Sequence, residues 1–451
     1  ETALVFLFAT IFSLLLIYLL MPLFNKISGK ELILNFTDYH IWTIILVTIS
    51  GTLVVSGIYP ALLLSSFEPL KALKGKIAAR INDAVFRKVL VVIQFAFSIV
   101  LISGTIVIGN QLSYIRSKQL GYDKENVFSC RMFNMNKHFD AVKDDLKKQP
   151  GITNVTQGAN IIQFGGQTGD NNWDGKQNGE TLMLSPMAVD KDFISFFKMQ
   201  LTKGTGFSGT GSDSTHFILN ETAVKAARIQ DPIGKRFKLW NTDGTIIGVV
   251  KDFHFASMRQ KINPAIFVYA PGRYDNLFIK TTGEDAPKAI AAAETEWKKY
   301  NAGFPFNYSF LDESFNSLYK SEERTGLLFN IFASIAIFIS CLGLFGLAAY
   351  TAQVRTREIG VRKVLGASVP GIIRLLALDF IKLVFIAIII ATPVSWYVMN
   401  KWLQDFAYKM NLGWTIFLAS GLIAVLIAVA TISFQSVKAA LANPVKSLRT
   451  D

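Results

Sequence analysis

The sequence predicts a mixed architecture: an α-helical transmembrane bundle of six spans joined to an α+β extracytoplasmic domain. Of its 451 residues 51% are apolar and only 18% charged, with a mean hydropathy of +0.35, a balance that favours a membrane protein. Six runs are long and apolar enough to cross about 30 Å of hydrocarbon: Ala3–Phe24, Ile41–Phe67, Val89–Ile115, Thr325–Val354, Leu375–Asn400 and Met410–Val437. Between the third and fourth lies a long stretch, Arg116 to Arg324, that is soluble in character.

The short loops set the orientation. Glu68–Lys88 carries six Lys or Arg, Arg355–Arg374 five and Lys438–Asp451 three, against two each in Asn25–His40 and Asn400–Gly413. The positive-inside rule then places the basic loops and the C-terminus in the cytoplasm and the long stretch outside. The net charge of +13 therefore calls for membrane lipid and topology rather than nucleic acid as its explanation. Asp379 and Lys382, one turn apart near the basic end of the fifth run, are expected to pair with each other and snorkel.

An internal repeat supports this layout. Asn25-Lys26, Trp42-Thr43-Ile44 and Pro69-Leu70-Lys71 recur in order as Asn400-Lys401, Trp414-Thr415-Ile416 and Pro444-Val445-Lys446. Runs one and two thus correspond to runs five and six. Residue 1 is Glu, and no basic n-region or cleavage site precedes the first apolar run, so that run is not a signal peptide. The expectation is the later part of a longer protein built from two tandem four-helix units.

Within the outer stretch, Phe139–Gln149 alternates apolar and charged residues at helical spacing and stops at Pro150-Gly151. Asp192–Met199, Glu221–Arg228 and Ala286–Tyr300 also read as helices. Phe217–Leu219, Thr245–Val250, Ala265–Tyr269, Asn276–Thr281 and Phe306–Phe310 read as strands from their β-branched and aromatic content. Asp312–Arg324 is expected to continue the fourth span outward as a helical stalk.

Arg355 to Pro370 is a polar island between two apolar runs. On a helix, Arg355, Glu358 and Arg362 share one side, with Glu358 and Arg362 in the favourable i,i+4 order. Val361, Val364 and Leu365 form an apolar stripe on another. Gly366 can end the helix in a left-handed conformation, and Ser368 can cap the next one, with Pro370 in its first turn. A short amphipathic helix clipped between two spans suits docking to a soluble partner.

The run R-T-R-E-I-G-V-R-K-V-L-G-A-S closely resembles the cytoplasmic signature of the FtsX-like permeases, membrane subunits of MacB-type ABC transporters. Gly121-Tyr122, Pro150-Gly151-Ile152, Asp231-Pro232-Ile233-Gly234-Lys235 and Gly248 to His254 more diffusely resemble the periplasmic core domain of MacB-like proteins. The resemblance implies four regions: 1–88, the last two helices of a first permease unit and a linker; 89–115, a span; 116–324, the outer domain with its stalk; and 325–451, the permease domain with a coupling helix at about 355–366. It implies a cytoplasmic ABC ATPase dimer as partner, contacted by Arg355, Arg357, Glu358, Ile359, Gly360, Arg362, Lys363, Val364, Leu365 and Gly366. A periplasmic adaptor or outer-membrane channel is a further partner it allows.

Motifs for chemistry on the chain itself are wanting. Gly204 to Gly209 fits G-x-G-x-x-G, but no helix opens on the third glycine to supply aligned N–H groups, so a flexible loop is expected. No phosphate-binding G-x-x-x-x-G-K-[ST] run occurs, so ATP and magnesium are expected on the partner, with no cofactor on this chain. No H-E-x-x-H or G-x-S-x-G occurs, and His40, His138, His216 and His254 are scattered, as are Cys130 and Cys341. Asp312-Glu313 and Glu322-Glu323 are expected on solvated faces, and Asp252-Phe253-His254 in a turn. Gly343, Gly346, Ala348 and Ala349 should give the fourth span a face for close helix packing.

The expected function is that of a non-enzymatic permease subunit that relays ATP hydrolysis to its outer domain, for export of a peptide, antibiotic or similar compound. Lipoprotein release and control of cell-wall hydrolases by the same mechanism are alternatives. A secondary transporter would need broken helices near mid-bilayer, for which Pro393 with Ser395 is the one faint candidate, and a membrane sensor would lack an ATPase neighbour.

Overall fold

The computed structural model describes residues 2–33, 37–65, 79–162, 166–270, 273, 274, 276–355, 358, 361, 362, 365 and 368–440. Among the described residues the first helices are α1 (Thr2–Ser28), α2 (Tyr39–Ser65) and α3 (Ala79–Ser117). Then come β1 (Val127–Arg131), α4 (Phe139–Lys147), β2 (Ile152–Gly158), β3 (Asn171–Trp173), β4 (Ser185–Ala188), α5 (Phe193–Phe196), β5 (Leu201–Gly204) and β6 (His216–Asn220). They are followed by α6 (Glu221–Ala226), β7 (Arg236–Leu239), β8 (Thr242–Val250), β9 (Ala265–Val268), β10 (Asn276–Thr281), α7 (Ala286–Tyr300), β11 (Tyr308–Phe310) and α8 (Leu311–Ser317). Helices α9 (Lys320–Val354), α10 (Val369–Leu403) and α11 (Trp414–Ala440) complete the described elements. The chain divides into a membrane unit, Glu1–Gln111 with Ser321–Trp402 and Asn411–Asp451, and an outer unit, Leu112–Lys320 with Leu403–Met410.

Among the described residues, five helical stretches are long and apolar enough to cross a membrane: Leu4–Ser28, Val85–Ser117, Lys320–Thr351, Ala377–Leu403 and Trp414–Ser433. The remaining expected run, Ile41–Phe67, coincides with α2, whose described side chains give only the shorter apolar stretch Tyr39–Val54. The membrane unit's core joins Val91, Phe95 and Ile99 of α3, Leu344 and Ala348 of α9, Val384, Ala387 and Ala391 of α10, and Ala424 and Ala428 of α11. Small side chains let these backbones approach, since lipid tails give apolar helices no hydrophobic reason to leave them. Hydroxyl pairs add direction: Ser98 and Ser340 are 3.1 Å apart, and Ser103 donates to Ser420 at 2.9 Å. Gly343 belongs to this packing, because a Cβ there would sit 2.5 Å from Gln94 Oε1, but Gly346 meets nothing within 4 Å.

Among the described residues the outer unit holds two sheets. Among the described residues, one has four antiparallel strands in the order β11-β1-β10-β2. Helices α4 and α7 cover it, with Val142, Leu146 and Trp297 buried against Phe128, Val155 and Ile279. The other sheet is mixed, in the order β3-β7-β8-β6-β9-β4, with β5 pairing β8. Parallel pairs β4/β9 and β6/β8 sit beside antiparallel ones. Buried Asn220 organises its centre: its Oδ1 accepts from Ala223 N, capping α6, and from Ala265 N, while its Nδ2 donates to Asn263 O. An aromatic cluster bridges the sheets, with Phe193 packed on Phe197, on Phe267 of β9 and on Phe278 of β10.

The expected stalk differs. Residues Leu311 to Ser317 form a separate helix, and Leu318-Tyr319 turn before α9 begins. Leu311, Phe315 and Tyr319 are all buried, and the Tyr319 hydroxyl accepts from Met258 N at 2.8 Å. Their burial against the outer unit prevents one straight helix from running through the segment.

Candidate functional site

Helices α9 and α10 flank the polar island. Of its expected docking residues, Arg357, Ile359, Gly360, Lys363, Val364 and Gly366 lie outside the described residues; Arg355, Glu358, Arg362 and Leu365 lie within them. Glu358 and Arg362 form the expected i,i+4 ion pair at 2.8 Å, with both side chains about half-exposed. Such a pair contributes only about 0.3–0.5 kcal/mol, so it shapes the helix more than it stabilises the protein. Leu365 N donates to Val361 O at 3.0 Å, the spacing of a helical turn. Leu365 is 80% exposed and Val361 48% exposed. Ser368 occupies the N-cap of α10, its Oγ accepting from Gly371 N at 3.4 Å, a long contact that satisfies one first-turn N–H.

Two contacts anchor the segment's entry. Arg355 Nη2 lies 3.1 Å from Asp379 Oδ2 of α10. This corrects the expected pairing of Asp379 with Lys382: the carboxylate is engaged by the guanidinium that opens the island. One turn before Arg355, the Tyr350 ring faces the Arg87 guanidinium of α3 at 4.5 Å, a cation–π contact. Arg87 and Tyr350 were not among the residues singled out in the sequence. Asp379 itself was noted; its position in a span beside a basic loop is the signal that could have pointed to a loop arginine as its mate.

The remaining motifs resolve into structural roles. Gly204 ends β5 at φ +72°, and a Cβ there would strike Ile247 O at 2.0 Å. After it no α-helix opens; Phe207 is buried against Tyr269, and a 3-10 turn follows at Gly211–Thr215. Asp213 locks this loop, accepting from Gly209 N, Ser208 Oγ and His216 Nδ1. Burial alone would raise its pKa, but these hydrogen bonds, His216 foremost, hold it below the usual carboxylate range. Asp252 accepts from both Thr222 N and Thr222 Oγ1, while His254 packs edge-on to Tyr408; Asp252-Phe253-His254 is irregular chain after β8 rather than the expected turn, with packing roles. Glu322 departs from expectation: it is buried rather than solvated. Cys130 and Cys341 are free, and burial pushes the Cys130 thiol up to about 12. Among the described residues no group of three His, Cys, Asp or Glu could hold a metal. Helix α10 continues through Pro393 unbroken.

The apolar helices and the large α+β unit define a multi-pass membrane protein, with an exposed helical turn at the junction of α9 and α10. The sequence matches the model for the FtsX-like permease C-terminal region over residues 330–444 and that for the MacB-like periplasmic core domain over residues 89–296. The chain is a permease of the FtsX/MacB type, a family of the inner membrane. A relative, the macrolide export ATP-binding/permease protein MacB of Chromobacterium violaceum, is 25% identical over 200 residues, which make up 41% of this chain and 30% of that protein. The match thus spans less than a third of that relative's length. The periplasmic region of MacB from Actinobacillus actinomycetemcomitans is similar at 14% identity, covering 44% of this chain and 93% of that one with a TM-score of 0.32. The extracellular domain of the noncanonic ABC-type transporter YknZ from Gram-positive bacteria gives 13% identity, 45% and 94% coverage, and a TM-score of 0.29.

Proposed function

We propose that this chain is the membrane subunit of an ABC system and docks a separate cytoplasmic ATPase dimer through the segment at 355–366. The observation that carries this reading is the exposed Leu365 and Val361 beside the Glu358–Arg362 pair. Exposed apolar side chains framed by charge, between two spanning helices, fit an apolar groove with a polar rim. The basic loops and C-terminus then face the cytoplasm. ATP and magnesium belong to the partner, and closure of the ATPase dimer would displace the segment.

Arg355 gives that displacement a route. Arg355 directly follows the end of α9, and its contact with Asp379 ties that edge of the island to α10. In this mechanism the two helices move together, and the outer unit is reset with each ATP cycle while substrate need not pass between the spans. Export of a peptide, antibiotic or similar compound is the favoured task, supported by the name of the Chromobacterium violaceum relative. A periplasmic adaptor or outer-membrane channel would complete an export route.

The test is co-purification of an ABC ATPase with wild type and with Leu365→Asp, followed by ATPase assays in nanodiscs. Leu365→Asp should abolish co-purification, and the Glu358→Ala/Arg362→Ala double variant should lose stimulated hydrolysis while inserting normally. Wild-type co-purification and stimulation in both variants would sink the assignment.

A further inference from the structure

We propose that the outer unit recognises the carboxyl-terminal end of a short peptide in a cleft between its two sheets. The cleft holds about 560 Å³, a size suited to small ligands. One wall is the turn Phe133–His138 with the start of α4; the other is the chain that follows β4 and β9.

Its floor carries polar atoms that the fold leaves without partners. Gln157 of β2 is only 7% exposed, and its Oε1 accepts no hydrogen bond. Asn136 donates through Nδ2 to Tyr274 O at 2.8 Å, which fixes its amide orientation, and its buried Oδ1 is left unpartnered. The Tyr274 hydroxyl, also buried, makes no hydrogen bond of good geometry. Burial pushes that phenol above its ordinary range, so it stays protonated. Buried polar atoms without partners are costly, and several facing one cavity mark a place where something else supplies the bonds.

The chemistry of the floor selects the ligand. Two amide oxygens call for N–H donors. Asp190, the carboxylate beside them, is already engaged by Thr156 Oγ1 at 2.7 Å and by Lys143 at 3.5 Å. The floor therefore offers neutral acceptors, which suit a peptide N–H better than a cation. The mouth is different: Lys137 and Lys191 are exposed there and outnumber the exposed carboxylate of Asp140. Neither lysine has an ion pair among the described residues. Amide N–H groups inside and a carboxylate outside describe a peptide's C-terminal end.

This site stands apart from ATPase docking, so either reading can fail without the other. The test titrates the whole chain, in lipid nanodiscs, with three probes by calorimetry: N-acetyl-dialanine, its C-terminal amide, and the ester analogue whose second peptide N–H is replaced by oxygen. The free acid should bind saturably and both analogues roughly tenfold more weakly. Gln157→Leu should erase the acid-over-ester preference and keep the acid-over-amide one; Lys137→Ala/Lys191→Ala should do the reverse. The lysine variant alters exposed side chains only, so it carries the test if Gln157→Leu does not fold. No saturable binding of the free acid, equal binding of all three probes, or unchanged preferences in the folded variants overturns the proposal.

Discussion

The two units hold themselves together by different means, and their cores show it. The membrane unit's core is largely Ala, Val, Leu and Ile, with paired serine hydroxyls between helices. The outer unit packs Phe193, Phe197, Phe253, Phe267 and Phe278 ring against ring. In water, removing large apolar surface is the main reward, so big rings are favoured. In lipid that reward is absent between helices, and closeness of backbones replaces it. One chain thus carries two packing chemistries, each matched to its solvent.

The largest effect should follow from emptying the aromatic core. Phe197→Ala should destabilise the outer unit by about 3–5 kcal/mol, read from its unfolding transition, while leaving the spans inserted. Overfilling the membrane core should cost less: Ala387→Leu or Ala428→Leu by about 1–3 kcal/mol, measured by unfolding in mixed micelles. A milder loss than Phe197→Ala supports the contrast; if the order is reversed, the membrane core depends on fit as heavily as the aqueous one.

A pH effect comes next. Burial, with Lys118 nearby, lowers the His254 pKa to about 4, against the small opposing pull of Asp252. The unfolded chain takes up this proton near pH 6.5, and the folded one only near 4. Between those values the unfolded state binds more protons, so stability is fully present above about 6.5 and falls as pH drops towards 4. The contribution is on the order of 2 kcal/mol or less. His254→Phe should flatten that part of the stability profile; an unchanged slope would show that other groups produce it. The smallest effect should be Ser103→Ala, about 0.6 kcal/mol, because Ser420 retains its bond to Phe417 O. A loss of several kcal/mol would mean that hydroxyl pairs, not backbone closeness, hold the spans.

This division also explains what could be read beforehand. Spans announce themselves by uninterrupted apolar length, and α7 and β10 by clear periodicity and β-branched content. Strand β2 did not, because Thr156, Gln157 and Gly158 are buried there despite being polar or small. Their burial depends on partners distant in sequence, Asp190 for Thr156 and Phe193 for Gly158. The charge pattern of the segment between α9 and α10 was legible, whereas the partner of Asp379 was not, since its neighbour in sequence, Lys382, looked the more natural mate than Arg355. Short β3 and β4 lacked enough residues to show a period.

The turn between α10 and α11 has a consequence for how the protein is made. Residues Leu403–Met410 belong to the outer unit, where Ala407 N and Tyr408 N donate to Arg259 O and Met258 O at 3.2 and 3.1 Å, and Phe406 lies under the Arg259 guanidinium. A ribosome delivers this strip only after two further spans have been synthesised. The head therefore waits, with those carbonyls uncovered, until α10 is in place, and a head excised as one contiguous stretch would lack its last piece.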